Sequence, residues 1–290
     1  MLPPSVEKHM KHFLIIANDR TRASGLLPRI VAAIEEKGAS CGIYEGDWMK
    51  NPKGVRLPDD VQCIITVGGD GTLIGASKIA LDHNIPLVGV NRGHLGYLCD
   101  LDERSVFDAI EDLVADHFTI EERMLLSGHI EDETGGRGEH MRALNDVVIS
   151  SNIGLLVMHI RVYINGQLLY SFNGDGMIFA TPTGSTAYNM SAKGPIVDPK
   201  TDVILMTPIN PHTLNTRSMV LDASDRIALE ICRRHDDDEP SAAVSFDGEM
   251  ADVLRPGMRV FVRRAKDKVR MIRFTDMSFL ERIRRKMREE

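Results

Sequence analysis

The chain reads as an α/β domain with a mostly parallel sheet, followed by a β-sandwich-like domain and a C-terminal helix that returns to the first. Three observations lead there. Short apolar runs alternate with helical periodicity up to about residue 118, the pattern of a parallel sheet covered on both faces. From Phe118 onward the texture changes to alternating, β-branched segments without long helices between them, as in an antiparallel sandwich. The last stretch, Asp276 to Glu290, goes back to helical spacing. The expected boundaries are 1–120, 121–267 and 268–290.

In order along the chain, His12 to Ala17 is a buried strand, and Leu26, Leu27, Ile30, Val31 and Ile34 recur at helical spacing before a stop at Gly38. A weaker strand at Cys41 to Tyr44 leads into a polar loop, Trp48 to Asp60. The apolar residues Val61, Cys63, Ile64 and Ile65 form the next strand; a glycine turn and a helix from Leu73 to Leu81 follow. Ile85 to Val90 is a fully apolar strand, and Val106, Ile110, Leu113 and Val114 share a helix face. In the second domain, Val157 to Ile164, Asn165-Gly166 and Gln167 to Phe172 make a hairpin, because Asn-Gly suits a two-residue type I′ turn. Further strands are expected near Leu125–Ile130, Ala143–Ser150, Met177–Ala180, Val203–Met206, Ile227–Cys232, Ala242–Phe246 and Met258–Arg264. Glu131 to Glu139 and the acidic run His235 to Pro240 read as solvated loops. In the tail, Phe279, Leu280, Ile283 and Met287 fall on one stripe, while Arg282, Arg284, Arg285 and Lys286 are expected to face water.

Composition narrows the ligand class. The 290 residues suffice for two cores, and the hydrophobic share of 43% is that of a globular protein. A net charge of −7 offers no basic excess for a nucleic-acid backbone or an anionic membrane, so the expected ligands are small molecules. Cys41, Cys63, Cys99 and Cys232 are scattered without a C-x-x-C pair, which suggests neither a zinc site nor a disulfide framework. The apolar run Phe13 to Ala17 is too short for a signal segment, and no span approaches ~20 apolar residues. A cytoplasmic protein is expected.

Candidate chemistry begins at Val67-Gly68-Gly69-Asp70-Gly71-Thr72, between a strand and a helix. Glycines allow a tight turn, positive φ and close approach of a ligand, and the helix N-terminus offers unpaired N–H groups to phosphate oxygens. Asp70 would repel a phosphate unless it holds a cation or a hydroxyl beside it. The same residues also suit a plain tight turn with Asp70 and Thr72 as turn and cap residues. Neither G-x-x-x-x-G-K-[ST] nor G-x-G-x-x-G is present here, which argues against a dinucleotide-dependent dehydrogenase. Asn91 to Tyr97 follows another strand, so two loops at the carboxyl ends of a sheet can line one crevice. Thr181-Pro182-Thr183-Gly184-Ser185-Thr186-Ala187-Tyr188-Asn189 is a hydroxyl-rich turn with a ring on which a base can stack, or else a polar connection between strands. Asn145 and Asp146 point to opposite faces of a regular strand and serve one ligand only if that strand starts irregularly.

The GGDGT stretch resembles the signature of a kinase superfamily that includes NAD kinases, lipid kinases acting on diacylglycerol and sphingosine, and phosphofructokinases with a variant. The order GGDGT, NRGHLGYL, ALNDV, Gly174-Asp175-Gly176, TPTGSTAYN and Phe246-Asp247-Gly248 is similar to that of NAD kinases over nearly the whole chain, whereas lipid kinases share the first motif but not the TPTGSTAYN stretch. The resemblance implies an α/β domain with a Rossmann-like sheet plus a β-sandwich-like domain. It implies that Asp70 contacts the adenosine ribose 2′-hydroxyl of NAD as its base, and that Gly68, Gly69, Gly71 and Thr72 receive the phosphates of ATP. Asn145 and Asp146 would hold the adenosine end of NAD, and Tyr97 would line the pocket. Thr183, Thr186, Ala187 and Tyr188 would surround adenine and ribose. Asp175 would meet the nicotinamide amide across a subunit interface, which implies a homodimer or homotetramer. Mg²⁺ or another divalent cation would ride on the donor phosphates, and no resident metal ligands are implied. Asp146 stands where Glu is commoner, Leu98 where a second aromatic sometimes occurs, and Glu249 where Gln is frequent. The rival readings are another GGDGT kinase acting on a lipid or sugar, and a sensor that binds the dinucleotide without turnover.

Overall fold

The computed structural model describes residues 10–46, 48, 54–92, 96–151, 157–213, 215–232, 242–274 and 277–289. Gly93, His94 and Leu95 of the NRGHLGYL loop, and the acidic run at His235, lie outside them. The chain divides into two compact units, Met1–Glu122 with Val269–Glu290, and Arg123–Lys268.

In the first unit, β1 (His12–Ala17), β2 (Ser40–Ile43), β3 (Cys63–Gly68) and β4 (Leu87–Asn91) form a parallel sheet in the order β2-β1-β3-β4, with the short β5 (Leu101–Asp102) beside β4. Every residue of β3 and β4 is buried, as continuous apolar strands in a covered parallel sheet require. Helices α1 (Asp19–Arg22), α2 (Leu26–Glu36), α3 (Asp70–Asp82) and α4 (Ser105–Val114) connect the strands. Leu26, Leu27, Ile30 and Ile34 of α2 and Val106, Ile110 and Leu113 of α4 join Phe13, Ile15, Ile65 and Val88 in one core. Gly38, at φ +79°, ends the α2 segment in the left-handed region where glycine has no Cβ penalty. Trp48, placed by its polar neighbours in a loop, is buried and donates its indole N–H to Ala17 O at 3.1 Å. Gly75, in mid-α3, makes room for that ring.

The second unit is the antiparallel pair of sheets that the alternating texture predicts. Its elements are β6 (Thr119–Glu131, of which Thr119–Glu122 belong to the first unit), β7 (Met141–Ala143), β8 (Asp146–Ser151), β9 (Met158–Ile164), β10 (Gln167–Gly174), β11 (Gly176–Ala180), α5 (Tyr188–Ser191), β12 (Val203–Ile209), β13 (Met219–Asp222), β14 (Ile227–Cys232), β15 (Ala242–Phe246), β16 (Glu249–Leu254) and β17 (Arg259–Arg273, of which Val269–Arg273 belong to the first unit). One sheet runs β13-β12-β11-β8-β15-β16, and β10-β9-β14-β17 form the other ladder. Alternate residues from both sheets, among them Val147, Ile149, Phe179, Phe246, Ile160, Val162, Leu229 and Val260, meet in a common core. The β9–β10 turn has Asn165 at φ +52° and Gly166 at +82°, the two positive values of a type I′ turn. β13 and β16 were not among the expected strands; exposed residues interrupt the alternation in both.

The chain ends in α6 (Phe279–Glu289), whose contacts correct the expected stripe. Leu280 is 75% exposed, whereas Arg282 is only 7% exposed. Arg284 and Arg285 do face solvent. The helix is fastened to the first unit through a buried guanidinium, because Arg282 finds a carboxylate and a carbonyl there that outweigh its hydration.

Candidate functional site

From β1 the sheet is extended to one side by β2 and to the other by β3, so the topological switch lies between β1 and β3. Open α/β sheets bind ligands beyond the carboxyl ends of their strands at such a point. Asn18 leaves β1 there and Gly68 to Thr72 leaves β3; Asn18 Nδ2 donates to Thr72 Oγ1 at 3.2 Å, while its Oδ1 caps α1 by accepting from Thr21 N at 2.9 Å. Asp70 is the first residue of α3 and Gly69 its N-cap.

None of Gly68, Gly69 and Gly71 has positive φ, contrary to the usual reason for glycine in such a turn; Gly69 sits at φ −92°, ψ −175°. The three glycines differ in what surrounds them. A Cβ on Gly68 would strike Thr72 and Asn18, so the chain itself requires that glycine. Gly69 and Gly71 are exposed, and nothing among the described residues lies within 4 Å of an added Cβ, so bare backbone faces outward at both positions.

The Asp70 carboxylate is held by the second loop of the sequence reading. Its Oδ2 accepts from Tyr97 N at 2.8 Å and its Oδ1 from Leu98 N and Cys99 N at 3.2 and 3.4 Å. Gly96 lies so close to Asp70 that a Cβ there would overlap the carboxylate. Burial, reinforced by the Asp70 charge, raises the Cys99 thiol well above its ordinary range, so it stays protonated and inert. The Glycine turn, Asp70 and Tyr97 are therefore brought together within one unit.

In the second unit the start of the hydroxyl-rich turn lies against the bend that carries Asn145. Residues 144 and 145 form a bend before β8, so the strand starts irregularly at Asn145 and Asp146. Asp247, at φ +52°, turns its carboxylate onto the bend and accepts from Leu144 N, Asn145 N and Asp146 N at 2.7, 2.7 and 3.2 Å. Asn145 O accepts from Thr181 N, and Thr181 Oγ1 donates to Leu144 O at 2.6 Å and accepts from Gly184 N at 3.0 Å. Gly184 has to be glycine, because a Cβ would overlap the Asn145 carbonyl. Asn145 Oδ1 is buried without a hydrogen-bond partner among the described residues. Burial, then the neighbouring Asp247 charge, pushes the Asp146 carboxyl up to about 7.

The hydroxyl-rich turn separates into two sets. Ser185 bonds Val197 through both its hydroxyl donor and acceptor, and Asn189 bonds Ser185 O, Pro195 O and Thr207, so these side chains hold the turn itself. Thr183 Oγ1 accepts from Arg123 at 3.4 Å and Thr186 Oγ1 donates to Thr183 O, while Ala187 is half-buried and Tyr188 is 46% exposed. Asp175 stands apart at the start of β11, where Asn210 Nδ2 donates to its Oδ2 at 2.8 Å.

Comparison with known proteins follows the same division. The sequence pattern of the ATP-NAD kinase N-terminal domain matches residues 14–118, and that of the ATP-NAD kinase C-terminal domain matches residues 144–274. The chain belongs to the ATP-NAD kinase family. Among its relatives, an NAD kinase of Agathobacter rectalis is 44% identical over 96% of this chain and 99% of its own length, and one of Lachnoclostridium phytofermentans is 34% identical over 96% and 99%. Two solved structures share the fold: a yeast NADH kinase complexed with NADH, with a TM-score of 0.82 at 21% identity over 96% of this chain and 87% of that one, and an NAD kinase from Archaeoglobus fulgidus in complex with ATP, with a TM-score of 0.74 at 19% identity over 96% and 99%.

Within this family member, the sequence reading left out several residues. Asn18 was legible as a cap residue directly after a strand, but its bond to Thr72 needed the fold. Asp247 was noted only as part of a motif, since its carboxylate reaches the bend from about a hundred residues away. Arg273 and Arg282 had no local signal at all. Both bond to the Leu98–Asp100 segment, which carries the amides facing Asp70.

Proposed function

We propose that the chain is an NAD kinase that transfers the terminal phosphoryl group of ATP to the adenosine ribose 2′-hydroxyl of NAD, giving NADP. The observation that carries this reading is the intact GGDGT turn at the switch point of the parallel sheet, in a chain that matches both halves of the family. The outward backbone at Gly69 and Gly71, ahead of the α3 N-terminus, suits the donor phosphates. Gly68 and Thr72 shape that turn, and Tyr97 lines the approach to Asp70.

Asp70 orients the acceptor hydroxyl and takes its proton late in the transfer. Phosphoryl transfer passes through a loose transition state in which positioning and charge stabilisation lower most of the barrier. A carboxylate clamped by three amides is suited to that task, since it costs no reorganisation as the reaction proceeds. Asn145 and Asp146 hold the adenosine of NAD, with Asn145 Oδ1 able to accept and, in the ionised form that is about half populated at pH 7, both oxygens of Asp146 able to accept as well. Thr183, Thr186, Ala187 and Tyr188 surround adenine and ribose, and Asp175 meets the nicotinamide amide of NAD bound to a neighbouring subunit in a homodimer or homotetramer. Among the described residues no three His, Cys, Asp or Glu side chains gather as a metal cage. That donor set fits Mg²⁺ or a similar cation carried on the ATP phosphates, where it would neutralise their charge beside the Asp70 carboxylate. Among the described residues no helix is long and apolar enough to cross a membrane, and a cytoplasmic location is part of this proposal.

The test is ATP and NAD supplied together, with NADP read by an NADP-specific dehydrogenase. Wild type produces NADP, and Asp70→Asn loses about 10²- to 10⁴-fold in kcat. An Asp70→Asn variant with wild-type turnover refutes the assignment, as does a wild-type chain that phosphorylates a lipid or sugar and leaves NAD untouched.

A further inference from the structure

The amides that clamp Asp70 are themselves held from behind. Along residues 97 to 99 the N–H groups point to the Asp70 carboxylate. The carbonyls of the same run are taken by two arginines from the last stretch of the chain: Arg273 Nη1 donates to Leu98 O and Arg282 Nη1 to Cys99 O, both at 2.8 Å. Asp100 joins the two cations. Its Oδ1 lies 2.8 Å from Arg282 Nη2 and 3.5 Å from Arg273 Nη1, and its Oδ2 accepts from Phe274 N at 2.9 Å. Burial would raise the Asp100 carboxyl, but the Phe274 N–H and the two guanidiniums outweigh it and hold the group below the usual carboxylate range. The Asp100 side chain is 1% exposed and those of Arg273 and Arg282 are 9% and 8% exposed. One turn further along α6, the Lys286 ammonium sits 5.6 Å over the Tyr97 ring, so Arg282 and Lys286, four residues apart, present one helix face to the segment from Tyr97 to Asp100.

We propose that Arg282 of the C-terminal helix is a positioning residue for phosphoryl transfer: its guanidinium fixes the Cys99 carbonyl and Asp100, and through the amides of residues 97 to 99 it sets the orientation of the Asp70 carboxylate. This deepens the kinase reading and rests on Asp70 being the group that meets the acceptor hydroxyl. The geometry accounts for arginine over lysine, because one planar fork reaches a carbonyl and a carboxylate at once while an ammonium has a single nitrogen to offer. It also accounts for a helix whose attachment is polar, with Leu280 left in solvent. Arg282 touches neither Asp70 nor the glycine turn in any hydrogen bond described, so its effect on the reaction passes through the backbone of residues 97 to 100.

Removing Arg282 leaves Asp100 with Arg273 and the Phe274 amide, so Arg282→Ala keeps a compensated buried charge. In the coupled assay, Arg282→Ala is expected to lower kcat by roughly ten- to a hundredfold, the scale on which a displaced catalytic group costs rate. KM for ATP and NAD stays within about twofold, because the lost interaction matters in the transition state and not in ground-state binding. Arg282→Lys falls between the two, and guanidinium ion added at millimolar concentration restores part of the Arg282→Ala rate. Arg284→Ala, on the solvent side of α6, keeps wild-type kcat.

Amide hydrogen exchange read on the peptide covering residues 96 to 100 tests the coupling without any substrate. The amides of residues 97 to 99 exchange at least about tenfold faster in Arg282→Ala, while β1, β3 and α3 keep their protection. Unchanged exchange in that peptide overturns the proposal, and so does faster exchange with wild-type kcat. If Arg282→Ala loses protection throughout the first unit, Arg282→Lys decides by the same two readings. A wild-type chain inactive on NAD removes the kinase reading, and normal exchange in Arg282→Ala removes the positioning role, so the two failures are told apart.

Discussion

Replacing Asp146 by Asn is expected to make the folded protein more stable at neutral and alkaline pH while impairing NAD binding. Asp146 is 5% exposed at the start of β8, with the Asp247 carboxylate on its own backbone N–H at 3.2 Å. Burial and that neighbouring charge raise its carboxyl to about 7, against an ordinary 3.8. Between those two values the native state keeps a proton that the unfolded chain has released, so stability falls as pH rises from about 4, and the whole penalty is present above about 7. Three units at 1.36 kcal/mol each bound the penalty at ~4 kcal/mol, and local rearrangement around a coupled pair reduces it to about 2–4 kcal/mol. Asn has nearly the same shape and does not titrate. Denaturant midpoints of wild type and Asp146→Asn at several pH values check the reasoning. The variant's advantage should grow steadily between pH 4.5 and 7.5, then level off. A gap that does not change with pH, or a variant less stable than wild type at pH 8, refutes it. The same variant is expected to raise KM for NAD about tenfold or more at neutral pH, the scale for one lost hydrogen bond to a charged or strongly polar group. Full NAD affinity would take Asp146 out of the binding set.

Other perturbations separate the roles given to neighbouring residues. Gly69→Ala should change stability by less than about 1 kcal/mol, since nothing among the described residues meets the added methyl, yet raise KM for ATP about tenfold or more by blocking the approach of phosphate to backbone; calorimetry paired with ATP titration reads both. Gly68→Ala, whose methyl meets Thr72 and Asn18, should instead lower the melting temperature and activity together. For Asp175, mixing inactive Asp70→Asn and Asp175→Ala subunits should restore up to about a quarter of wild-type activity if each site borrows Asp175 from a partner, because half of the random dimers are mixed and each has one intact site. Mixtures that stay inactive place both residues in the same subunit's site.

How much could be read beforehand depended on how far each signal reaches along the chain. Period-2 and period-3.6 patterns, the Asn165-Gly166 turn and the apolar runs of β3 and β4 are local, and from them the fold class, most strands and the helix after the glycine turn were legible. Within the TPTGSTAYN run, however, composition could not divide Ser185 and Asn189, which hold the turn, from Thr183 and Tyr188, because that division depends on Val197, Thr207 and Pro195 folding against it.

The sequence by itself determined two layered domains and a glycine turn bearing Asp70, because those properties follow from side-chain period and from the conformational freedom of single residues. Only the tertiary structure decided what the carboxylates do. Asp70 and Asp247 each gather three backbone N–H groups from distant loops, and Arg282 exchanges water for a buried carboxylate and carbonyl some 180 residues earlier in the chain. A charged residue on an exposed-looking helix face carries no local mark of such a partner. Its burial follows from the hydrogen bonds the fold supplies, and those exist only once the chain has closed upon itself.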